Sequence, residues 1–290
     1  MGISFLKCLF LYLPLQETIT PYTHVYINMY KRLITNIHNY QWALAAALLA
    51  ANASPCAAQY TVKSITRSRI VIDNRFDQPK DADAEAFIAP FKAKVDSVMS
   101  PVVGTTARYL NKYKPESPLS NLLADILLWS GKAFDEKPDF AVYNIGGIRA
   151  AFAKGPVTYG DVLDVAPFEN KICFCTLTGD KVLELFQQMA GFGGQGVSHG
   201  VEAVMDGNDK LVSLKINGEQ IDPAHEYRIA TLDYVAEGND KMLAFKSKTR
   251  VNNPSGTENN VRFIIINYFK EAALQGKAVD AQVEGRFRKL

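Results

Sequence analysis

Histidine is scarce in this sequence, and the four residues present, His24, His38, His199 and His225, are scattered singly along the chain. No Cys-x-x-C pair occurs, and no histidine follows a cysteine at zinc-finger spacing. These gaps exclude the common structural zinc modules. There is no P-loop, no Ser–His–Asp set in a supporting motif, and no Lys/Arg-rich block of the kind that grips nucleic acid. Formal net charge is only +2, which fits the absence of a basic face. No apolar run reaches the roughly 20 residues needed to span a bilayer. Hydrophobic residues at 48% and charged residues at 21% leave an ordinary globular protein.

The longest apolar stretch has a different explanation. Lys31 and Arg32 precede the uncharged core Trp42 to Ala53, and Cys56-Ala57-Ala58 ends on a small residue. That order reads as a secretory leader over 29–58, so the chain is expected to be exported, to the periplasm or the cell surface. Lipid attachment at Cys56 is the weaker reading, because Pro55 stands where such signals carry a small residue. Residues 1–28 fit poorly ahead of a signal, and Met29 suits a start better; on that reading 1–28 are not part of the native protein.

From Tyr60 the pattern changes. Tyr60 to Asp73 alternates and predicts a strand. Ala84, Phe87, Ile88, Phe91, Val95 and Val98 fall at helical spacing over 81–99, with Asp81 or Asp83 as cap and Pro90 as a source of strain. Leu119 to Phe134 predicts a strong amphipathic helix, and Asp139 to Ile145 a buried strand running into Gly146-Gly147. A short helix over 157–165, a strand over 171–177 and a helix over 180–190 follow, then a glycine-rich loop over 191–200. Three strands, 201–205, 211–216 and 227–232, precede a helix over 261–275, and Asn217-Gly218 signals a tight turn. Without regular βαβ alternation, the class is α+β, a mixed β-sheet with packed helices. Cys173 and Cys175 lie two apart on one strand. Their Cα atoms would be roughly 6.5–7 Å apart, which disfavours a disulfide and leaves two small buried side chains.

Four segments carry chemistry: Ser120 to Asp125, Asn144 to Arg149, Ala166 to Asn170, and Thr231 to Asp240. Gly146 and Gly147, after a strand, let backbone N–H groups approach an anion. Arg149 can fork onto phosphate or carboxylate, and Asn144 offers donors and acceptors. Phe168, after a proline on an expected loop, and Tyr234, ahead of a glycine-containing turn, make a slot for a flat base, where stacking is worth roughly 1–3 kcal/mol per base. Asp240 can accept hydrogen bonds from ribose hydroxyls. Each feature alone has a plain structural reading as a turn former or core plug; their order gives them weight.

In that order they resemble the C-terminal, substrate-binding domain of the 5′-nucleotidase family, which includes periplasmic UDP-sugar hydrolases and ecto-5′-nucleotidases. The shared motifs are Asn121-Leu-Leu-Ala-Asp125, Asn144-x-Gly-Gly-Ile-Arg149, Pro167-Phe-x-Asn170, Leu177-Thr-Gly179, Tyr227-Arg-Ile-Ala-Thr231 and Gly238-x-Asp240, spread over most of 100–275. The segment 81–99 resembles the one that joins the family's two domains. The resemblance implies that Asn144, Gly146, Gly147 and Arg149 line the phosphate and sugar side. It implies that Phe168 and Tyr234 sandwich the base, that Asp240 holds the ribose, and that Gly200 lies at the base edge. Three departures stand out. Ile145 replaces a glycine, Asn239 replaces another, and the arginine expected before the Asn-Leu helix is absent from Lys112-Tyr-Lys-Pro-Glu-Ser117.

In the full-length family, a separate N-terminal domain holds two metals through Asp-x-His and Gly-Asn-His motifs, and neither motif occurs here. The resemblance therefore implies no catalytic residue and no cofactor in this chain. Divalent metals would sit in a separate metallophosphoesterase chain, and this chain would supply nucleotide binding in extracytoplasmic nucleotide catabolism. The alternatives are a stand-alone exported nucleotide-binding protein or a degenerate scaffold domain. The organisation expected is a leader over 1–58, a strand and linker-like helix over 59–99, and the family-like domain over 100–290.

Overall fold

The computed structural model describes residues 28–30, 32, 33, 36, 40, 62–76 and 80–290. Most of the expected leader, including Trp42 to Ala53 and Cys56, lies outside the described residues. Residues 1–76 and 77–290 form two separate units. In the first, residues 62–72 form no strand, against the expectation from their alternation. Alternation suits a pleated strand, but a strand also needs a neighbour to bond its backbone. The segment stays extended and exposed, with Ile65 and Ile72 in the open.

The second unit holds the architecture. Helix α1, Ala82–Met99, starts on Asp81, whose carboxylate accepts from the backbone N–H groups of Asp83 and Ala84. Strand β1, Val102–Thr106, pairs with β3, Gly155–Thr158. Helix α2, Pro118–Ser130, begins with a capping box between Ser117 and Ser120 and with proline at its first position. Its Leu119, Leu122, Leu123, Ile126 and Leu127 are buried. Strand β2, Phe140–Tyr143, ends at the single turn Ile145–Gly147. Helix α3, Tyr159–Val165, is capped by Thr158 and Asp161.

Strand β4, Ile172–Thr178, leads into α4, Gly179–Gly191. Strands β5 (Gly196–Val197), β6 (Val201–Met205), β7 (Leu211–Ile216), β8 (Glu219–Gln220) and β9 (Glu226–Leu232) follow. Asn217 and Gly218 both take positive φ between β7 and β8, as a two-residue hairpin turn requires. The one-turn helix α5, Asp233–Ala236, strand β10, Thr249–Asn252, helix α6, Val261–Leu274, and strand β11, Phe287–Lys289, complete the unit.

The central sheet has the order β10-β4-β9-β2-β5, and a second sheet runs β11-β6-β7-β8. The class is α+β, as expected. Cys173 and Cys175 are free thiols buried in β4. One relationship in the central sheet positions the site. β2 runs parallel to β9, so their carboxyl ends share one edge. β4 is antiparallel to β9, with Ile172 opposite Leu232, so the segment entering β4 reaches the same edge. Three of the four chemistry-bearing segments converge there.

Candidate functional site

At that edge a cleft of about 290 Å³ is lined by Asn144, Gly146, Gly147, Arg149, Phe168, Asn170, Tyr234 and Asp240. Seven of these eight were singled out in the sequence. Asn144 follows β2 and forms the floor, only 3% exposed. Its Nδ2 donates to Asp240 Oδ2 at 2.6 Å, and the Tyr234 hydroxyl donates to Asp240 Oδ1 at 3.2 Å. The Asn144 Oδ1 has no hydrogen-bond partner among the described residues, which leaves a buried acceptor at the floor. Gly147 must be glycine here, because a Cβ would lie 2.8 Å from that oxygen. Gln195 braces the turn from behind, its Oε1 accepting from the Ile145 backbone at 2.8 Å.

Phe168, on a loop, and Tyr234, in the one-turn helix α5, are 48% and 43% exposed, which is costly for two aromatics left open to solvent. Arg262 of α6 fixes the Phe168 loop. Its Nε donates to the Ala166 carbonyl at 3.0 Å and its Nη2 to the Pro167 carbonyl at 2.5 Å. Asn239, in the turn after α5, ties that turn back to the helix: its Nδ2 donates to the Tyr234 carbonyl at 2.8 Å. Asp240 takes φ +53°, a conformation tolerated by Asp and Asn more than by most residues. The Asp240 charge pushes the Tyr234 phenol above its ordinary value.

Cations gather around this cleft. The Arg149 guanidinium lies 5.9 Å from the centre of the Phe168 ring. Lys114 Nζ sits 3.9 Å from the centre of the Phe192 ring, and Lys241 Nζ sits 5.5 Å from the same centre. The nearby Glu169 and Glu237 pair with Arg262 and Lys248 instead. Partial burial holds the Lys114 amine below the usual lysine range, and Asp240 opposes that shift. Lys112 donates to the Ile148 carbonyl and Lys114 to the Phe192 carbonyl, so both ammonium groups engage the backbone.

Gly200 is a correction. It lines a separate cleft with His199, Asn217 and Glu284. The physical reason is strand direction. β5 is antiparallel to β2, with Gly196 opposite Tyr143 and Val197 opposite Val142, so the chain leaves the site as it approaches Gly200. Asn121 and Asp125 also lie apart from the cleft. Asp125 makes a two-pronged pair with Arg286 at 2.8 Å on both arms, and Asn121 donates to Glu116 at 2.6 Å. They anchor the C-terminal segment to α2.

Three contributors were not singled out. Asn170 ends the Pro-Phe-x-Asn motif, but an Asn closing a turn gives no separate signal. Arg262 and Gln195 act on neighbouring backbone from distant positions, which no local pattern reveals. His199 pairs with Glu284 at 3.0 Å, and His225 packs edge-on against Tyr227. Among the described residues, no three His, Cys, Asp or Glu side chains converge as metal ligands.

Fold and cleft together define an α+β domain with an open, aromatic-flanked pocket at one end of its central sheet. The chain belongs to the 5′-nucleotidase C-terminal domain family, whose model matches residues 97–247. Protein UshA of Escherichia coli (strain K12) is 30% identical over 158 residues, covering 53% of this chain and 29% of that protein. The 5′-nucleotidase of Vibrio vulnificus (strain CMCP6) is 36% identical over 110 residues, 36% of this chain and 19% of that one. The crystal structure of the 5′-nucleotidase precursor from Thermus thermophilus superposes with a TM-score of 0.62 at 26% identity, over 73% of this chain and 44% of that chain. The chain spans less than a third of the two proteins and under half of the solved structure.

Proposed function

We propose that the protein binds a nucleotide or nucleoside outside the cytoplasm and presents it to a separate metallophosphoesterase chain. One observation carries this reading: two exposed aromatics, Phe168 and Tyr234, flank a floor where Asn144 holds Asp240. In this reading a flat base stacks on these aromatics and covers their exposed faces, a gain of roughly 1–3 kcal/mol per stacking partner. Asp240, already oriented by two donors, retains lone pairs for ribose hydroxyls. Arg149, in the cleft lining, supplies positive charge for a phosphate, and Lys114, within electrostatic reach of Asp240, adds to it. Relatives that are 5′-nucleotidases support the same ligand class.

The residues described here bind and orient; none is assigned a bond-breaking step. Divalent metals, where hydrolysis occurs, belong to the partner chain in this reading. The test is a mixing experiment with a candidate metallophosphoesterase chain. Addition of this protein should raise kcat or lower KM on nucleoside monophosphates, and the two should co-purify. No kinetic effect and no co-purification would sink the partner reading; nucleotide binding with no effect on the phosphoesterase would favour a stand-alone binding protein.

A further inference from the structure

Helix α1 carries an apolar seam left exposed among the described residues. Ala84, Ile88, Phe91, Val95 and Val98 recur at intervals of four and three, the spacing of a coiled-coil stripe. The four large members are all at least half exposed: Ile88 52%, Phe91 62%, Val95 54% and Val98 51%. Phe87, beside the stripe, is 73% exposed and lies 5.8 Å from Phe91 between ring centres. The helix joins the body at its carboxyl end, where the Met99 carbonyl lies close to Gly160. An isolated exposed Leu or Val is ordinary, but a continuous stripe of this kind on an 18-residue helix marks an interaction surface.

The charges beside the seam select the occupant. Glu85 and Lys92 occupy the same flanking position of successive heptads, each directly after a seam residue, Ala84 and Phe91. When two such helices meet antiparallel, equivalent flanks face each other, so Glu85 meets Lys92 of the partner subunit at both ends of a two-fold axis. The same register sets Ile88 against Phe91 of the partner subunit and Val95 against Ala84 of the partner subunit, matching large to small at the latter layer. In a parallel pair Lys92 would face Phe87 instead and lose its carboxylate. Pro90 lies off the seam, so its ring does not enter the contact.

We propose that α1 is a self-association helix, through which two copies of this chain pair antiparallel in a two-fold dimer. The inference is independent of what the pocket binds. Glu85 makes only an exposed 3.4 Å contact with Lys80 within its own chain, which is readily exchanged.

Sedimentation velocity of the purified protein over a dilution series tests it. The expected result is a dimer that dissociates on dilution. Ile88→Glu should sediment as a monomer with an unchanged far-ultraviolet circular dichroism spectrum. Glu85→Lys and Lys92→Glu, each placing like charges opposite one another at both ends, should each weaken association about tenfold. The double reversal Glu85→Lys/Lys92→Glu should restore it. A wild-type protein that is monomeric throughout overturns the proposal. So does a dimer indifferent to Ile88→Glu, or a double reversal no better than the single ones.

Discussion

Asn144 and Asp240 stand 96 positions apart in sequence, yet the Asn144 Nδ2 donates to Asp240 Oδ2 at 2.6 Å across the floor of the cleft. This bond links the end of β2 to the turn after β9, and parallel pairing of those strands makes it feasible. Asn144→Ala removes the donor and should cost roughly 1–2 kcal/mol of stability. Asn144→Asp should cost more, because it sets one carboxylate against another in a buried place. Chemical denaturation of the three proteins gives the order: wild type, then Ala, then Asp.

Arg262 bonds the carbonyls of Ala166 and Pro167, pairs with Glu169 and does not line the cleft, so its effect on ligand is indirect. Arg262→Met keeps much of the packing and loses both bonds. The Phe168 loop should loosen, and nucleotide affinity should fall roughly tenfold, the effect of about 1.4 kcal/mol. Hydrogen exchange at residues 166–170 should rise in the same variant, a change that loss of direct ligand contact would not produce.

Lys114 gives the phosphate reading a pH signature. Partial burial lowers its amine below the usual lysine range, with Asp240 pulling the other way. An ammonium that loses its proton early stops attracting phosphate early. Affinity for a nucleoside monophosphate should therefore weaken as pH rises through that lowered range, while affinity for the free nucleoside stays level. Lys114→Arg, which holds its charge, should flatten the profile. Titrations at neutral and alkaline pH check this.

Stability has its own titrating group, away from the cleft. Arg228 grips Glu136 with both arms, Nη2 at 2.5 Å and Nε at 2.8 Å, and Asn252 adds a third bond at 2.8 Å. Hydrogen bonding to Arg228 is the main cause that holds the Glu136 carboxyl below the usual glutamate range. A carboxyl depressed on folding contributes stability above its unfolded value, and the contribution is lost as pH falls through the folded one. Glu136→Gln should cost roughly 1–3 kcal/mol at neutral pH. The gap from wild type should close as pH falls through that depressed range, as followed by thermal melts across a pH series.

Much of this was legible in the sequence, for identifiable reasons. Long apolar periodicity located α2, α4 and α6, and Asn217-Gly218 located a hairpin. The short strands β1, β3, β5, β8, β10 and β11 were missed because two to five residues carry no usable period. Tyr60 to Asp73 misled because alternation says nothing about whether a partner strand exists. At the site, glycine pairs and loop aromatics gave Gly146, Gly147, Phe168 and Tyr234. Gly200 failed because the direction of β5, which decides where its chain leads, is a tertiary fact. Arg262 and Gln195 escaped for a related reason: each acts on backbone far away in sequence.

The most direct test of the central claim is calorimetric titration with a nucleoside monophosphate, on the wild type and on Phe168→Ala/Tyr234→Ala. Both aromatics are surface-exposed, so the double variant should keep its fold. The account expects saturable one-site binding in the wild type. Loss of two stacking partners at roughly 1–3 kcal/mol each should weaken it at least tenfold in the variant. No heat of binding in the wild type, or equal affinity in the two proteins, would contradict it.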